Sequence, residues 1–147
     1  MKKFILHRVE DWRHVVSAIL PKLKPGVVVT LSGPLGAGKT TFVQTLAEAL
    51  GAKSRPRSPS FAIIRSYKLK NMFGIRTLVH ADAYRIESGS DGAVYELDEC
   101  IEGRGNLLVI EWPERLAEWL KTQKAKKIQI KIEPEMNSDT RRVTILS

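Results

Sequence analysis

The stretch Gly33-Pro34-Leu35-Gly36-Ala37-Gly38-Lys39-Thr40 constrains what this chain can become more than any other part of it. It fits G-x-x-x-x-G-K-[ST], a Walker A phosphate-binding loop. The glycines allow a tight turn whose successive N–H groups point inward, so the loop can cradle a β-phosphate at the start of the following helix. In such a loop the lysine, here Lys39, reaches the β- and γ-phosphates, and the hydroxyl of the next residue, here Thr40, is offered to Mg2+. The positions expected to hold a nucleotide are Gly33, Leu35, Gly36, Ala37, Gly38, Lys39, Thr40 and Thr41. Average glycine usage is about 7%, so a chance match in a chain of this length is on the order of one in a few hundred.

The surroundings argue further against chance. Val27-Val28-Val29-Thr30-Leu31-Ser32 is a short apolar, β-branched run that suits a central strand buried on both faces. From Thr41 to Leu50 the residues Phe42, Val43, Leu46, Ala47 and Leu50 recur at helical spacing, and Gly51 supplies the stop. Strand, glycine loop and helix stand in the order that phosphate binding requires.

At 147 residues the chain, residues 1–147, fits one domain with a normal core and leaves little room for a second. It has no apolar run of about 18 residues, the length of a membrane span, and Met1-Lys2-Lys3 is not followed by a signal-peptide segment. A soluble, cytoplasmic protein is expected. The single cysteine, Cys100, can form no internal disulfide and reads as a small packed residue rather than a nucleophile.

The net charge of +8 is uneven: residues 1–81 hold 14 Lys and Arg against 3 acids, and residues 82–147 hold 10 against 13. Arg55, Arg57, Arg65, Lys68, Lys70 and Arg76 are too many for one nucleotide. They form either a face for RNA or an acidic protein, or a merely solvated surface. Aromatic residues do not interleave with them as in a nucleic-acid module, which argues against direct sequence reading.

Before the loop, Phe4-Ile5-Leu6 suits an edge strand, and Trp12, Val15, Val16, Ile19, Leu20 and Leu23 mark a helix over Glu10 to Leu23. Trp12 either anchors that helix in the core or covers a bound base; the core reading is favoured. After it, Ala52 to Pro59 is a basic loop that either senses a γ-phosphate or merely connects. Phe61–Leu69 and Ile75–His80 read as a hairpin around Lys70-Asn71-Met72-Phe73-Gly74.

Two apolar runs end in acids. Leu78-Val79-His80-Ala81 leads to Asp82, and Asn106-Leu107-Leu108-Val109-Ile110 leads to Glu111. A carboxylate at the end of a strand beside a Walker A loop is where Mg2+ is held or a water oriented. Asp82, Glu111 and Lys39 are therefore the candidate catalytic residues, and Thr40, Asp82 and Glu111 the candidate metal ligands. A helix is expected over Gly92–Cys100, another over Glu114–Lys124 opened by Pro113, and a terminal hairpin over Lys127–Glu133 and Arg141–Ser147.

Five blocks carry a resemblance: Leu31 to Phe42, Ser58-Pro59-Ser60-Phe61, His80-Ala81-Asp82-Ala83-Tyr84-Arg85, Glu96-Leu97-Asp98-Glu99 and Ile110-Glu111-Trp112-Pro113-Glu114. In order and content they resemble the TsaE family, also called YjeE, small ATPases of bacterial tRNA threonylcarbamoyladenosine synthesis. The H-x-D-x-Y-R and I-E-W-x-E blocks together are what make the resemblance specific. It implies an α/β, three-layer Rossmann-like P-loop NTPase with a central mostly parallel sheet and antiparallel edge strands. It further implies ATP and Mg2+ as cofactors, Gly36 to Thr41 on the phosphates, Asp82 and Glu111 at the metal and water, and the Ser58–Phe61 loop, with Ser60, as a γ-phosphate switch.

The partners so implied are TsaD and TsaB, whose threonylcarbamoyl-transfer complex the ATPase would reset after turnover. The tRNA is reached only through that complex, with no membrane or DNA partner. Two positions depart from the family pattern: Pro34 stands where an acid is usual, and Ser60 where threonine is usual. The rival readings are a small-molecule P-loop kinase, for which no arginine-bearing lid is evident, and a nucleotide-gated binding module with negligible hydrolysis.

Overall fold

The β-branched run after Gly26 forms strand β2 (Val28–Ser32), which lies inside the sheet with a parallel neighbour on each side. The computed structural model describes residues 1–57, 63–86 and 91–147. Around β2 the described residues add β1 (Lys2–Leu6), β3 (Ile64–Met72), β4 (Ile75–Asp82), β5 (Asn106–Glu111), β6 (Lys127–Pro134) and β7 (Arg141–Leu146). The order across the sheet is β1-β7-β6-β2-β5-β4-β3. The neighbours β6, β2, β5 and β4 are parallel, whereas β3 on one edge and the β7–β1 pair on the other are antiparallel. This is the α/β architecture expected, with its parallel centre and antiparallel edges.

Helices α1 (Trp12–Ile19), α2 (Lys39–Ala49), α3 (Asp91–Glu102) and α4 (Ala117–Thr122) cover the two faces. Because side chains alternate along a strand, each strand feeds two cores. Val29, Leu31, Leu78, Leu107 and Val109 pack with α1 and α2, while Val28, Val79, Ala81, Leu108 and Ile110 pack with Leu97, Leu116 and Trp119. The same parity puts His80, Asp82 and Glu111 on the α2 side, since His80 and Glu111 stand two residues, and Asp82 four, from a member of that first core on the same strand.

Helix α1 buries Trp12, Val15, Val16 and Ile19, one stripe at helical spacing, and stops before Pro21, which has no N–H to continue the ladder. Helix α2 begins at Lys39, two residues earlier than the apolar spacing suggested, because the phosphate loop itself forms its first turn. It ends as expected at Gly51: φ is +72°, the Gly51 N–H donates to the Glu48 carbonyl, and Ala52 N–H donates to that of Ala47.

The hairpin of β3 and β4 closes more tightly than the turn expected at Lys70–Gly74, with Phe73-Gly74 between the strands. Its first strand is described from Ile64; Phe61 lies outside the described residues. The helix expected over Glu114–Lys124 is divided into a 3-10 turn at Pro113–Leu116 followed by α4. No described helix is long and apolar enough to cross a membrane.

Trp12 is a core anchor rather than an open lid. It is 2% exposed and meets Phe42 edge-to-face at 5.8 Å between ring centroids. Its six-membered ring lies directly under Gly38, where a Cβ would stand 2.9 Å from a ring carbon. Gly38 also has φ +106°, so both space and backbone demand glycine there. Trp12→Phe removes the ring that supports the loop and is expected to cost about 1–2 kcal/mol, read as a lower urea midpoint. An unchanged midpoint would mean that the loop stands without this support.

Candidate functional site

The loop lies at the carboxyl ends of the parallel strands, where open α/β sheets bind ligands. Gly33 leaves β2 in a position that only glycine tolerates, since a Cβ would stand 2.6 Å from the Ile132 carbonyl oxygen of β6. From there the chain turns through the exposed Leu35 and enters α2 at Lys39. Arg141 of β7 braces the outside of the turn, donating from Nε to the Ala37 carbonyl at 2.9 Å.

Lys39 is 5% exposed and folds back over its own loop. Its Nζ donates to the carbonyls of Gly33 (2.7 Å) and Pro34 (2.8 Å) and lies 4.0 Å from the ring centroid of Trp112. Burial pushes the ammonium pKa down, while the charges of Glu111, Asp82 and Glu114 pull it back up. Trp112 is aimed there by a left-handed backbone (φ +58°, ψ +54°), a conformation costly for a non-glycine residue. Its N–H donates to the Leu31 carbonyl, and Tyr84 packs on its ring at 4.9 Å.

The two sequence-expected acids end adjacent strands in register, with Leu31, Glu111 and Asp82 in one row. Glu111 meets the loop directly: its Oε1 accepts a hydrogen bond from Thr40 Oγ1 at 3.0 Å. The same oxygen lies 2.9 Å from Nε2 of the fully buried His80. Glu111 is 3% exposed, and these charge-assisted bonds offset the cost of holding a carboxylate so deep.

Asp82 reaches a different partner. Its Oδ1 accepts from the Tyr84 N–H at 3.0 Å, tying down the turn after β4. Burial raises the Asp82 pKa; the Tyr84 N–H lowers it, nearby Glu111 raises it further, and His80 and Lys39 lower it. With the folded value above the unfolded one, ionised Asp82 costs stability at neutral pH, and that cost disappears below the unfolded value. Asp82→Asn, which keeps the acceptor for Tyr84, is expected to raise the melting temperature of the nucleotide-free protein slightly at pH 7. The difference should close toward about pH 4. A lower melting temperature at pH 7 would show that the charge is compensated.

Of the expected residues, the structure thus joins Lys39, Thr40 and Glu111 around the loop and sets Asp82 in the next strand. Ser60, with the rest of the Ser58–Phe61 loop, lies outside the described residues. Three residues were not singled out individually from sequence. His80 had a local signal, a histidine in an apolar strand run two residues before an acid; Trp112 had a weaker one, directly after the strand-end acid. Arg141, far away in the chain, had none. Cys100 is half-buried, and burial, then Glu96 and Glu99, push its thiol pKa up, consistent with a packed rather than reactive residue.

This geometry agrees with what the chain is similar to. The sequence profile of the family described as threonylcarbamoyl adenosine biosynthesis protein TsaE matches residues 6–143. The tRNA threonylcarbamoyladenosine biosynthesis protein TsaE of Bacillus subtilis (strain 168) is 41% identical over 135 residues, covering 92% of this chain and 78% of that protein. The protein of the same name from Treponema pallidum (strain Nichols) is 42% identical over 106 residues, 72% of each chain. The crystal structure of Bacillus subtilis YdiB superposes with a TM-score of 0.70 at 32% identity, covering 98% of this chain and 83% of that one. Sequence profile, relatives and fold converge with the phosphate loop and its strand-end carboxylates: the chain belongs to the TsaE family.

Proposed function

We propose that this chain binds ATP with Mg2+ and hydrolyses it as the nucleotide-driven component of tRNA threonylcarbamoyladenosine biosynthesis in the cytoplasm, acting on a TsaD–TsaB complex as one P-loop domain. The observation that carries the reading is the Thr40–Glu111 bond, which joins the first turn of the loop helix to a strand-end carboxylate. Thr40 and Glu111, with Asp82 in the adjacent strand, present hard oxygen donors of the kind Mg2+ prefers. Among the described residues no three His, Cys, Asp or Glu side chains form a metal cluster.

In this reading the Mg2+ supplies charge neutralisation on the phosphates. The protein's own groups do the rest. The loop N–H groups and Lys39 hold and orient the phosphates, and Glu111 orients the water that attacks. Trp112 shields Lys39 from solvent, and Ser60 belongs to the loop that responds to the γ-phosphate. The six basic side chains Arg55, Arg57, Arg65, Lys68, Lys70 and Arg76 are all exposed. They supply the charge for an acidic partner surface, and complex formation should weaken as salt rises.

The test is phosphate release by the purified protein with and without TsaD and TsaB, alongside calorimetric titration of ATP. Expected are ATP binding by the protein alone and phosphate release stimulated by the complex. Absence of ATP binding overturns the reading, and phosphate transfer to a free hydroxyl acceptor would replace it with a kinase.

A further inference from the structure

His80 is a buried titratable side chain whose chemistry the nucleotide reading leaves unused. It is fully buried on β4, two residues before Asp82 on the same strand face. Its Nε2 lies 2.9 Å from Glu111 Oε1. An ionised carboxylate can only accept, so Nε2 is the protonated nitrogen and donates. The other ring nitrogen, Nδ1, is buried without a hydrogen-bond partner among the described residues. An unpartnered polar atom in a core is costly, and an apolar residue would fill the same space without it. The bond from Nε2 is therefore the feature that distinguishes histidine from a hydrophobic residue at this position.

That bond lands on the same oxygen that Thr40 uses. Oε1 of Glu111 accepts from Thr40 Oγ1 at 3.0 Å and from His80 Nε2 at 2.9 Å. A carboxylate oxygen has about two acceptor sites, so Oε1 is filled by protein groups. We infer that His80 is a positioning residue: together with Thr40 it saturates Oε1 of Glu111 and fixes the carboxylate so that Oε2 alone is presented to the Mg2+ site and its water. Two donors from different elements, one on α2 and one on β4, hold the group against rotation. The Thr40 hydroxyl proton is committed to Glu111 as well, which leaves its oxygen lone pairs as acceptors.

This inference rests on the nucleotide reading above, and its test separates the two. The probe is ADP, titrated calorimetrically into the full chain with excess Mg2+ and with the metal chelated, for the parent, His80→Phe and His80→Gln. Phenylalanine fills the ring space without a donor, and glutamine places an amide N–H near the position of Nε2. In the parent, Mg2+ is expected to tighten ADP binding. His80→Phe should keep the metal-free affinity and lose about 10–100-fold of the affinity with Mg2+, the range seen when an outer residue that orients a metal ligand is removed. His80→Gln should restore most of it.

The melting temperature of His80→Phe should fall, because the buried Glu111 carboxylate loses a charge-assisted donor even though the unpartnered Nδ1 is gone as well, and His80→Gln should recover most of it. An unchanged Mg2+ response in His80→Phe overturns the positioning role while leaving nucleotide binding intact. Equal loss in both variants together with equally lowered melting temperatures overturns it in favour of plain packing. Absence of ADP binding by the parent overturns the nucleotide reading and this inference with it.

Discussion

Lys39→Ala is expected to lower partner-stimulated turnover by about 10²–10³-fold, the usual loss when one donor to a developing negative charge is removed. Nζ already sits in the loop, bonded to the Gly33 and Pro34 carbonyls with the Trp112 ring over it. A phosphate entering the loop offers this cation a full negative charge in place of two carbonyl dipoles. In the proposed reading Lys39 would therefore exchange partners on binding rather than gain its first ones. Stability should change by only about 1 kcal/mol or less, because the loss of two hydrogen bonds is balanced by no longer burying an ammonium. Phosphate release and thermal melts on the same sample check both halves. Turnover within about 10-fold of the parent would remove Lys39 from the phosphate site.

Glu111→Ala is expected to retain ATP binding and lose turnover by about 10²–10⁴-fold, the contribution typical of a positioned general base. The alanine variant carries a second penalty. It strips the acceptor from His80 Nε2 and Thr40 Oγ1, leaving a buried N–H unpaired at about 1–3 kcal/mol. Glu111→Gln is the sharper experiment, since the amide oxygen can still accept from both donors while the negative charge is gone. Its melting temperature should stay near the parent's while phosphate release falls as in Glu111→Ala. If Glu111→Gln turns over ATP at the parent rate, Glu111 neither orients water nor holds the metal.

Much of the architecture was legible because local rules and tertiary demand agree here. A β-branched run without charges suits a strand buried on both faces, and β2 is one. The Gly51 stop works through a backbone conformation that glycine adopts at little cost. The short β3–β4 connection allows only an antiparallel pair, which β3 and β4 form on the sheet edge. Element ends were less legible. Pro113 opens the helical segment as expected, but the segment is a 3-10 turn at Pro113–Leu116 followed by α4 rather than one helix. The left-handed backbone at Trp112 goes with a bond from its N–H to the Leu31 carbonyl of another strand, a partner that the neighbouring residues do not reveal.

By itself the sequence determined the phosphate loop, the strand before it, the helix after it and the two acids that end apolar runs. Each of these is set by glycine conformational freedom, β-branching, helical periodicity or strand length, all properties of neighbouring residues. Only the tertiary structure decided which acid meets the loop. Strand order places β5, not β4, beside β2, so Glu111 reaches Thr40 while Asp82 stands one strand further out. It also decided that Trp12 underlies Gly38, that Arg141 braces Ala37, and that His80 shares an oxygen of Glu111 with Thr40. Those contacts join residues 26 to 104 positions apart, a distance over which no periodicity or motif carries information and only the packed sheet brings the partners together.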